Sequence, residues 1–453
     1  MRFFLRTYGC QMNERDSDAA AALLIGHGLA PASAEADADL VLVNTCSVRG
    51  KAEDKALGKL GLLVARKREQ PGLLVGAIGC MVQRLGDGLF RCVPGLDLAV
   101  GTGALPRLPR LLEQVVENGG PVLDVGEEPA GPATGHVGRL LDFVTILQGC
   151  DRHCAYCIVP RVRGPERSRP GADVTEEVRR LAASGTREVT LLGQSVMAYG
   201  RRQPVWPADS VSPGGYVEPL SRLLEAVSAV PGIARVRFTS GHPSGCTEEL
   251  ARAMRDLAPV CEHLHLPLQS GSDRILGLMG RGYTADAYRA AVARLRAHVS
   301  DIALTTDIIV GFPTETEADF DASRRLMDEI GFDNAFIFKY SPRDNTRAAA
   351  WADDVADGEK RRRNRVLLED QEVRGLDRNR RAVGAEVEVL AEGVSLRNAA
   401  MWSGRTRGNK IVVFDPRDGV RVGDLARVVV TRAMPQTLYG DIVGAFGRKG
   451  CAT

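Results

Sequence analysis

Three closely spaced cysteines constrain this chain more than any other feature. Cys150, Cys154 and Cys157, here called the loop cysteines, form the pattern CxxxCxxC directly after a predicted strand, Leu141–Leu147. Three thiolates at this spacing can bind three corners of a [4Fe–4S] cube and leave the fourth iron open to a small molecule. A ferredoxin, which only carries electrons, needs a fourth cysteine nearby, and the next one along this chain is Cys246. The loop therefore indicates a cluster with an open coordination position.

Zinc and simple burial explain this loop less well. A closed structural zinc site needs four ligands, and His153 is poorly placed to reach the same metal as its neighbour Cys154. Three ordinary buried cysteines would rarely fall at this spacing at the end of a strand. The cluster interpretation is therefore preferred.

A second set of three cysteines emerges once the chain is divided into strands. Cys10, Cys46 and Cys80, here called the sheet-edge cysteines, each follow a predicted strand. In a doubly wound sheet these strand ends meet at one edge, where ligands bind. Glycine precedes two of the three cysteines, which would let a bulky cluster approach the backbone. The pattern predicts a second three-thiolate site, although each cysteine alone is more often a small core residue. The remaining cysteines are interpreted as structural: Cys92, Cys246, Cys261 and Cys451.

The first part of the chain, residues 1–130, alternates strands and helices, which predicts an α/β domain with a doubly wound parallel sheet. The predicted strands are Arg2–Tyr8, Asp39–Asn44, Leu73–Ile78 and Leu96–Val100. The predicted helices are Ser17–Gly28, Lys51–Arg68 and Ala104–Asn118.

A second alternating series, residues 136–375, predicts a partial or full α/β barrel, whose chemistry takes place at the C-terminal ends of its strands. The predicted strands are Leu141–Leu147, Glu188–Leu192, Arg235–Phe238, His263–Leu266, Ala303–Val310 and Asn334–Phe338. The predicted helices are Val174–Ser184, Pro219–Val230, Glu248–Leu257 and Glu317–Ile330. Between them, Arg201–Val217 is rich in Pro, Gly and Ser and predicts an exposed loop.

The tail, residues 376–447, predicts a small β-barrel that follows a charged helix, Glu359–Arg381. Its predicted strands are Glu386–Leu390, Lys410–Phe414 and Ala426–Val430. Small β-barrels often bind RNA, so nearby basic residues are candidates for contact with an RNA backbone. These candidates are Lys360, Arg361, Arg362, Arg363, Arg405, Arg407 and Lys410. The alternative is a solvated helix face, the more common role of a charge run.

The overall charge and the N-terminus say less. A net charge of +2 argues neither for nor against a nucleic-acid partner. Charge interrupts Met1–Arg6 before an apolar core of signal-peptide length forms, and no stretch is long enough to span a bilayer. These features predict a cytoplasmic protein, where thiols stay reduced. Ten cysteines in that compartment indicate metal binding or catalysis rather than disulfides.

Several motifs together resemble one known family. The loop cysteines are followed by Ile158–Pro160 and by the run Arg163–Arg169, with the sequence RGPERSR. Further matching motifs are Gln11–Asn13, Asn44–Arg49, Leu191–Gln194, His265–Ser272 and Asp307–Pro313. Over essentially its whole length, and in family order, the chain resembles the MiaB-type tRNA methylthiotransferases of the radical S-adenosylmethionine (SAM) superfamily. It departs from the family pattern at Ser195, Ser240, Gly241 and Thr314.

The resemblance implies three domains and a reaction. Residues 1–130 would be the methylthiotransferase domain with an auxiliary [4Fe–4S] cluster, 136–375 the radical SAM barrel, and 376–447 an RNA-binding TRAM β-barrel. The substrate would be the adenosine on the 3′ side of the tRNA anticodon, isopentenylated on N6. SAM cleaved at the cluster of the loop cysteines would remove the C2 hydrogen as a 5′-deoxyadenosyl radical. A second SAM would methylate a sulfur at the cluster of the sheet-edge cysteines, and the methylthio group would join C2.

The resemblance also implies site residues. The six cysteines would be ligands of two [4Fe–4S] clusters, with the loop cysteines catalytic. Tyr156 is expected beside the adenine of SAM, Gln194 and Gln269 at its polar groups, and Gly311 where the backbone approaches the adenine. Arg163 is expected to bind the SAM carboxylate or an RNA phosphate. The plain alternatives are a packing aromatic residue, turn-satisfying amides, a turn glycine and an exposed arginine without a role.

The implied partners are the tRNA anticodon stem-loop, an electron donor such as flavodoxin or ferredoxin, and a protein that delivers sulfur or clusters, with no membrane. Two alternatives stay open. A methylthiotransferase of the same architecture acts on threonylcarbamoyladenosine in tRNA, or on an aspartate of a ribosomal protein. A non-enzymatic iron–sulfur RNA-binding protein is the other, and the open irons argue against it.

Overall fold

The structure is a computed structural model that describes residues 1–48, 50–126, 138–416 and 420–445. The chain divides into two compact units. The first is drawn from Met1–Gly138, Phe143–Arg169 and Leu192–Ser195, and the second from Arg139–Asp142, Pro170–Leu191 and Val196–Thr453. The predicted domain limits at residues 130, 136 and 447 lie outside the described residues, as do Arg49 and Cys451. Of the helices described, none is long and apolar enough to cross a membrane.

A six-stranded parallel sheet lies at the centre of the first unit. Its strands are β1 (Arg2–Thr7), β2 (Ala30–Pro31), β3 (Leu40–Thr45), β4 (Leu74–Gly79), β5 (Leu98–Val100) and β6 (Val122–Asp124). They are arranged in the order β2-β1-β3-β4-β5-β6, and every pair is parallel. The predicted doubly wound sheet is confirmed, and the short strands β2 and β6 at its two edges are additions to the prediction.

Helices cover both faces of this sheet. They are α1 (Gln11–Gly26), α2 (Gly50–Arg66), α3 (Cys80–Leu85), α4 (Gly88–Cys92) and α5 (Leu108–Asn118). One hydrophobic core packs Leu24 of α1 and Leu112 of α5 against one face. A second core packs Leu60 of α2 and Met81 of α3 against the other face. Burial on both faces explains why the central strands are continuous apolar runs rather than alternating ones.

Helix α1 begins at Gln11, well before the predicted start at Ser17. Cys10 is its N-cap residue, and the Asn13 side chain accepts a hydrogen bond from the Cys10 N–H at 3.1 Å. Asn13, Ser17 and Asp18 are all buried. The first turns of α1 therefore bury polar side chains, and the apolar periodicity that marks a surface helix is missing there.

The central region contains six longer strands and one short pair. The strands are β7 (Leu141–Thr145), β8 (Leu147–Gln148), β9 (Arg167–Ser168), β10 (Glu188–Leu192), β11 (Arg235–Phe238), β12 (His263–His265), β13 (Ala303–Val310) and β14 (Asn334–Lys339). They form one sheet in the order β11-β10-β7, a second in the order β12-β13-β14, and the antiparallel pair β8-β9. A parallel bridge between Val236 and Val260 connects β11 to the segment before β12. This arrangement is a partial α/β barrel.

Eight helices accompany these strands. They are α6 (Val159–Arg163), α7 (Gly171–Ala183), α8 (Pro219–Ser228), α9 (Glu248–Asp256), α10 (Asp273–Met279), α11 (Ala285–His298), α12 (Glu317–Ile330) and α13 (Asp357–Arg380). The predicted helices are confirmed, whereas α6, α10 and α11 were not predicted. The segment 201–217, which is fully described, contains no helix or strand, as expected of a loop.

The tail forms the predicted small β-barrel. Its strands are β15 (Glu386–Ser395), β16 (Asn398–Thr406), β17 (Ile411–Phe414), β18 (Leu425–Ala433) and β19 (Thr437–Ala445). They close in the order β15-β16-β17-β19-β18, and closure leaves no unpaired sheet edge. Val389, Val412, Phe414 and Leu438 belong to its hydrophobic core. The sequence did not predict β16 and β19.

Buried arginines attach this barrel to the central strands within the second unit. Arg235 is fully buried and donates hydrogen bonds to Glu388 Oε1 at 2.7 Å and to the Arg405 carbonyl at 2.6 Å. Arg237, also buried, donates to the Thr406 carbonyl at 2.7 Å. Because a buried guanidinium is stable only when it is paired, these bonds fix the position of β16.

We expect Arg235→Met to lower the free energy of unfolding of the second unit by about 3 kcal/mol or more, because it breaks a buried ion pair from one side. Chemical unfolding followed by circular dichroism measures this change. Arg179→Met is the matched control, since Arg179 pairs with Glu176 at the surface and should leave the unfolding midpoint in place. Equal midpoints for wild type and Arg235→Met would contradict the proposed attachment.

Candidate functional site

Three neighbouring strands of the first sheet bring the sheet-edge cysteines to one edge. β3 pairs in parallel with both β1 and β4, so the three strands end side by side. Cys10 caps α1, Cys46 directly follows β3, and Cys80 is the first residue of α3. Cys46 and Cys80 are buried and Cys10 is half-buried.

The glycines before two of these cysteines make room for side chains of the site itself. A Cβ at Gly9 would lie 2.1 Å from Asn13 Oδ1 and 3.0 Å from the Cβ of Cys46. Gly79 has a φ of +100°, and a Cβ there would lie 2.5 Å from Asn44 Oδ1. The space next to these glycines, where a cluster was expected to approach the backbone, is occupied by asparagine side chains.

Two buried asparagines fix this edge. Asn13 donates from Nδ2 to Asn44 Oδ1 and to the Thr45 carbonyl, both at 3.1 Å. Its Oδ1 accepts from the Cys10 N–H, and Asn44 Nδ2 donates in return to the Asn13 carbonyl at 2.8 Å. Both side chains are fully buried, where hydrogen bonds are strong and an unpaired group is costly. The network therefore holds Cys10 and Cys46 in one arrangement.

The sulfur atoms at this edge have surroundings that suit metal ligands. The Val48 N–H donates to Cys46 Sγ at 3.3 Å, and Cys80 packs against Val162. Burial raises the pKa of the Cys80 thiol to about 12, and the positive charge of Arg163 opposes that shift. A thiol of this kind is neutral by itself and becomes a thiolate when a metal coordinates it.

The loop cysteines lie on a loop that β8 and β9 close at its base. Within it, the Cys150 N–H donates to the Gly164 carbonyl and the Cys157 N–H to the Cys154 carbonyl, both at 3.1 Å. Cys150 is buried, and Cys154 and Cys157 are half-buried. His153 is exposed, in agreement with its exclusion as a fourth ligand.

Gly149 and Gln194 fix the start of this loop. Gly149 has a φ of +81°, and a Cβ there would lie 2.0 Å from the Pro165 carbonyl oxygen, so only glycine fits. Its N–H donates to Gln194 Oε1 at 2.5 Å. Burial raises the pKa of the next residue, the Cys150 thiol, and the Arg152 N–H opposes that shift.

The chemistry of the two donor sets suits iron–sulfur clusters. Across the described parts of the chain, no group of three or more His, Cys, Asp or Glu side chains is arranged to hold one metal ion. A single ion requires all its ligand atoms within about 2–2.5 Å of one point. A [4Fe–4S] cluster binds each cysteine through a different iron, so its ligands stand farther apart. Two sets of three soft sulfur donors fit such clusters.

The residues expected to contact SAM fall in both units. Tyr156 is half-buried and lies among the loop cysteines, in the first unit. The first unit also contains Gln194 and all six predicted cluster ligands. Gln269 belongs to the second unit, where it is buried with a φ of +71°. Its N–H donates to the Asp307 carbonyl at 2.8 Å, at the end of the partial barrel.

Gly311 is surrounded by other side chains of the second unit. A Cβ there would lie 2.3 Å from Lys360 Cγ, and the Gly311 N–H donates to Glu315 Oε2 at 2.6 Å. The glycine therefore admits the Lys360 side chain on one side. Its contact with the SAM adenine stays a prediction.

Arg163 is placed differently from the expectation. Its side chain is 4% exposed, and Nη2 donates to Asp16 Oδ2 at 2.6 Å. Burial by itself would lower the pKa of the guanidinium, but the ion pair with Asp16 holds that pKa well above its usual value. A buried and paired guanidinium does not reach an RNA phosphate, so that expectation was wrong.

The basic residues expected to follow an RNA backbone are paired with carboxylates of their own unit. The pairs are Lys360–Asp353, Arg361–Asp357, Arg362–Glu317, Arg363–Glu315, Arg405–Glu392, Arg407–Glu262 and Lys410–Asp333. Lys360 and Arg363 are 3% and 6% exposed, so burial excludes them from RNA contact and corrects the prediction. An RNA phosphate that bound any of the other five basic residues would have to displace the carboxylate with which that residue is paired.

We expect Asn13→Ala to destabilise the first unit by about 1–3 kcal/mol for each buried polar group it leaves unpaired. Since Asn13 also positions Cys10, the variant should bind less iron after anaerobic reconstitution. Chemical unfolding and iron analysis measure the two effects. Asn118→Ala, at an exposed position, is the control and should match wild type in both. An Asn13→Ala protein with wild-type stability and iron content would contradict the role given to this network.

Comparisons with known protein families divide the chain into three matches. Residues 2–101 match an uncharacterized protein family, UPF0004, residues 144–327 match the radical SAM superfamily, and residues 380–443 match the TRAM domain. The order agrees with the α/β sheet, partial barrel and closed β-barrel of the structure.

Relatives match over nearly the whole chain. A protein of Moorella thermoacetica named tRNA-2-methylthio-N(6)-dimethylallyladenosine synthase is 45% identical over 97% of this chain and 98% of its own. The protein of that name from Opitutus terrae is 42% identical over 98% of this chain and 97% of its own. Among solved structures, the radical SAM methyltransferase TsrM of Kitasatospora setae matches with a TM-score of 0.57 at 14% identity. That match covers 77% of this chain and 74% of TsrM and concerns the fold alone.

Proposed function

Since this chain belongs to the family of tRNA-2-methylthio-N(6)-dimethylallyladenosine synthases, which are radical SAM transferases, we propose that it attaches a methylthio group to C2 of N6-isopentenyladenosine beside the tRNA anticodon. One SAM molecule is the radical source and another is the methyl donor. The substrate carbon is unreactive, so the reaction requires a radical to remove its hydrogen.

The observation that carries this proposal is the presence of two three-cysteine sets in one compact unit. Each set offers three sulfur ligands and so leaves one iron of a cube open. Carbon–sulfur bond formation of this kind needs one open iron for SAM and another for the sulfur to be transferred. An electron carrier gains nothing from two exposed irons, which argues against the non-enzymatic alternative.

We propose that the loop cysteines hold the SAM-binding [4Fe–4S] cluster and the sheet-edge cysteines hold the auxiliary one. When bound, the first cluster supplies the electron that cleaves SAM, a chemistry that belongs to the cofactor. The residues of the chain position the cysteine ligands. Gln194 fixes Gly149 and with it the start of the loop, and Asn13 fixes Cys10 relative to Cys46. By this assignment residues 1–130 form the methylthiotransferase domain, 136–375 the radical SAM barrel and 376–447 the TRAM barrel.

We further propose four contacts with SAM. Tyr156 stands between two loop cysteines and packs beside the adenine. The Gln194 side chain has its Oε1 committed to Gly149, so its NH2 group is the part offered to SAM, and Gln269 offers its side-chain amide. At Gly311 the N–H bonds to a glutamate, so its carbonyl is the group offered to the adenine.

We further propose that the TRAM barrel binds the anticodon stem-loop and that the protein acts in the cytoplasm, where tRNA is modified. Flavodoxin or ferredoxin would supply the electron, and a sulfur or cluster delivery protein would restore the sulfur consumed in each turnover. The transferred sulfur cannot come from the six cysteines, because they stay in the chain as ligands. Another sulfur source must therefore replace it after each turnover.

A reconstituted, anaerobic reaction with dithionite, SAM and isopentenylated tRNA tests the proposal. Mass spectrometry should detect both 5′-deoxyadenosine and 2-methylthio-N6-isopentenyladenosine from wild type. Cys150→Ala should yield neither, because SAM cleavage is lost. Cys46→Ala should still release 5′-deoxyadenosine but give no methylthio product above the enzyme-free level. Cys92→Ala, an exposed cysteine outside both sets, is the control and should behave as wild type.

Other outcomes would change or remove the proposal. Product only from threonylcarbamoyl-modified tRNA, or only on a ribosomal-protein aspartate, would replace the substrate and keep the reaction type. No 5′-deoxyadenosine from reconstituted wild type would contradict the enzymatic proposal and favour an iron–sulfur protein without catalysis.

A further inference from the structure

Arg163 lies on the short helix α6, which links the two cysteine sets. It is the last residue of α6, which follows the loop cysteines directly in the chain. Val162 beside it shares a hydrophobic cluster with Cys80, and the Val162 carbonyl accepts a hydrogen bond from Thr102 Oγ1 at 2.5 Å. α6 is therefore packed onto the start of α3, and its backbone is fixed there.

The Arg163 side chain is buried at this junction rather than extended to solvent. It is 4% exposed, and Asp16 of α1 accepts a hydrogen bond from Nη2 at 2.6 Å. Transfer of a guanidinium out of water costs several kcal/mol, so a buried arginine needs negative partners around it. One carboxylate alone is a modest partner for a group with five N–H donors.

The elements around this side chain also carry two of the sheet-edge cysteines: Cys80 clusters with Val162, and Cys10 is the N-cap residue of α1, which contains Asp16. The charge of Arg163 lowers the pKa of the Cys80 thiol more than any other neighbouring charge changes it, although burial is the larger effect. The guanidinium therefore lies close enough to the sheet-edge cysteines to act on them, and its positive charge favours their thiolate form.

We propose that Arg163 is a positioning residue of the sheet-edge site. Its buried positive charge, oriented by Asp16, stabilises the thiolate ligands and raises the reduction potential of the cluster that they hold. This inference rests on the proposed function, because it presupposes the auxiliary cluster. It replaces the expected roles of Arg163 in binding SAM carboxylate or RNA phosphate.

The test isolates the auxiliary cluster in the full-length chain. The parent is the Cys150→Ala, Cys154→Ala, Cys157→Ala variant, which keeps the sheet-edge cysteines as its only predicted cluster ligands. Into it are placed Arg163→Met, which removes the charge at similar length, Arg163→Lys, which keeps the charge, and Asp16→Asn, which removes the opposing charge. After anaerobic reconstitution, iron content is measured, and the midpoint potential is followed by electron paramagnetic resonance during a redox titration.

The two single-charge changes should move the potential in opposite directions. Arg163→Met should lower it, since the reduced cluster loses a neighbouring positive charge, and Asp16→Asn should raise it. Arg163→Lys should stay nearer to the parent than Arg163→Met does. A purely structural role would instead make Arg163→Met and Asp16→Asn alike, because both break the same ion pair.

The remaining outcomes each decide the question. Loss of iron from Arg163→Met with retention in Arg163→Lys supports the charge requirement through assembly rather than potential. Three results would overturn the inference. The first is an unchanged iron content and potential in Arg163→Met, and the second is a potential shift of the same sign in Arg163→Met and Asp16→Asn. The third is an equal loss of iron in Arg163→Met and Arg163→Lys. A parent that binds no iron removes the auxiliary cluster itself, and with it the proposed function.

Discussion

The hydrogen bonds between two buried asparagines, Asn13 and Asn44, are the constraint on which the rest of this site depends. One residue belongs to helix α1 and the other to strand β3, so their bonds join the start of a helix to the end of a strand. Both amides are fully buried, which makes any alternative arrangement costly. The same hydrogen bonds fix the neighbouring cysteines, Cys10 and Cys46. A site built on rigid elements holds its geometry better than one on mobile loops.

The second set of cysteines is tied to the same unit through the short helix α6. Family comparisons place the loop cysteines in the radical SAM match, residues 144–327, and the sheet-edge cysteines in a separate match, residues 2–101. In the structure, residues 143–169 pack with the first sheet as one unit. Packing thus achieves what the domain order alone does not give, which is one unit that contains both three-cysteine sets.

Local patterns predicted the fold well and the site only in part. Strand β13 and helix α12 were predicted to the residue, and in the structure Thr316 and Gly331 cap the two ends of α12. The start of α1 was missed because its buried side chains are polar. The ion pair of Arg163 with Asp16 joins residues 147 apart in the chain, and no local pattern encodes such a contact. Asn13 and Asn44 were visible only as parts of matching motifs; a polar residue at the end of a fully buried strand was the signal for Asn44.

The central claim is that the edge of the first sheet holds a second cluster, and iron content tests it most directly. Wild type and a full-length variant with Cys10, Cys46 and Cys80 all changed to alanine would be reconstituted anaerobically with iron and sulfide. We expect about eight irons per chain in wild type and about four in the variant, which should still bind SAM. Equal iron content in the two proteins, or four or fewer irons in wild type, would contradict it.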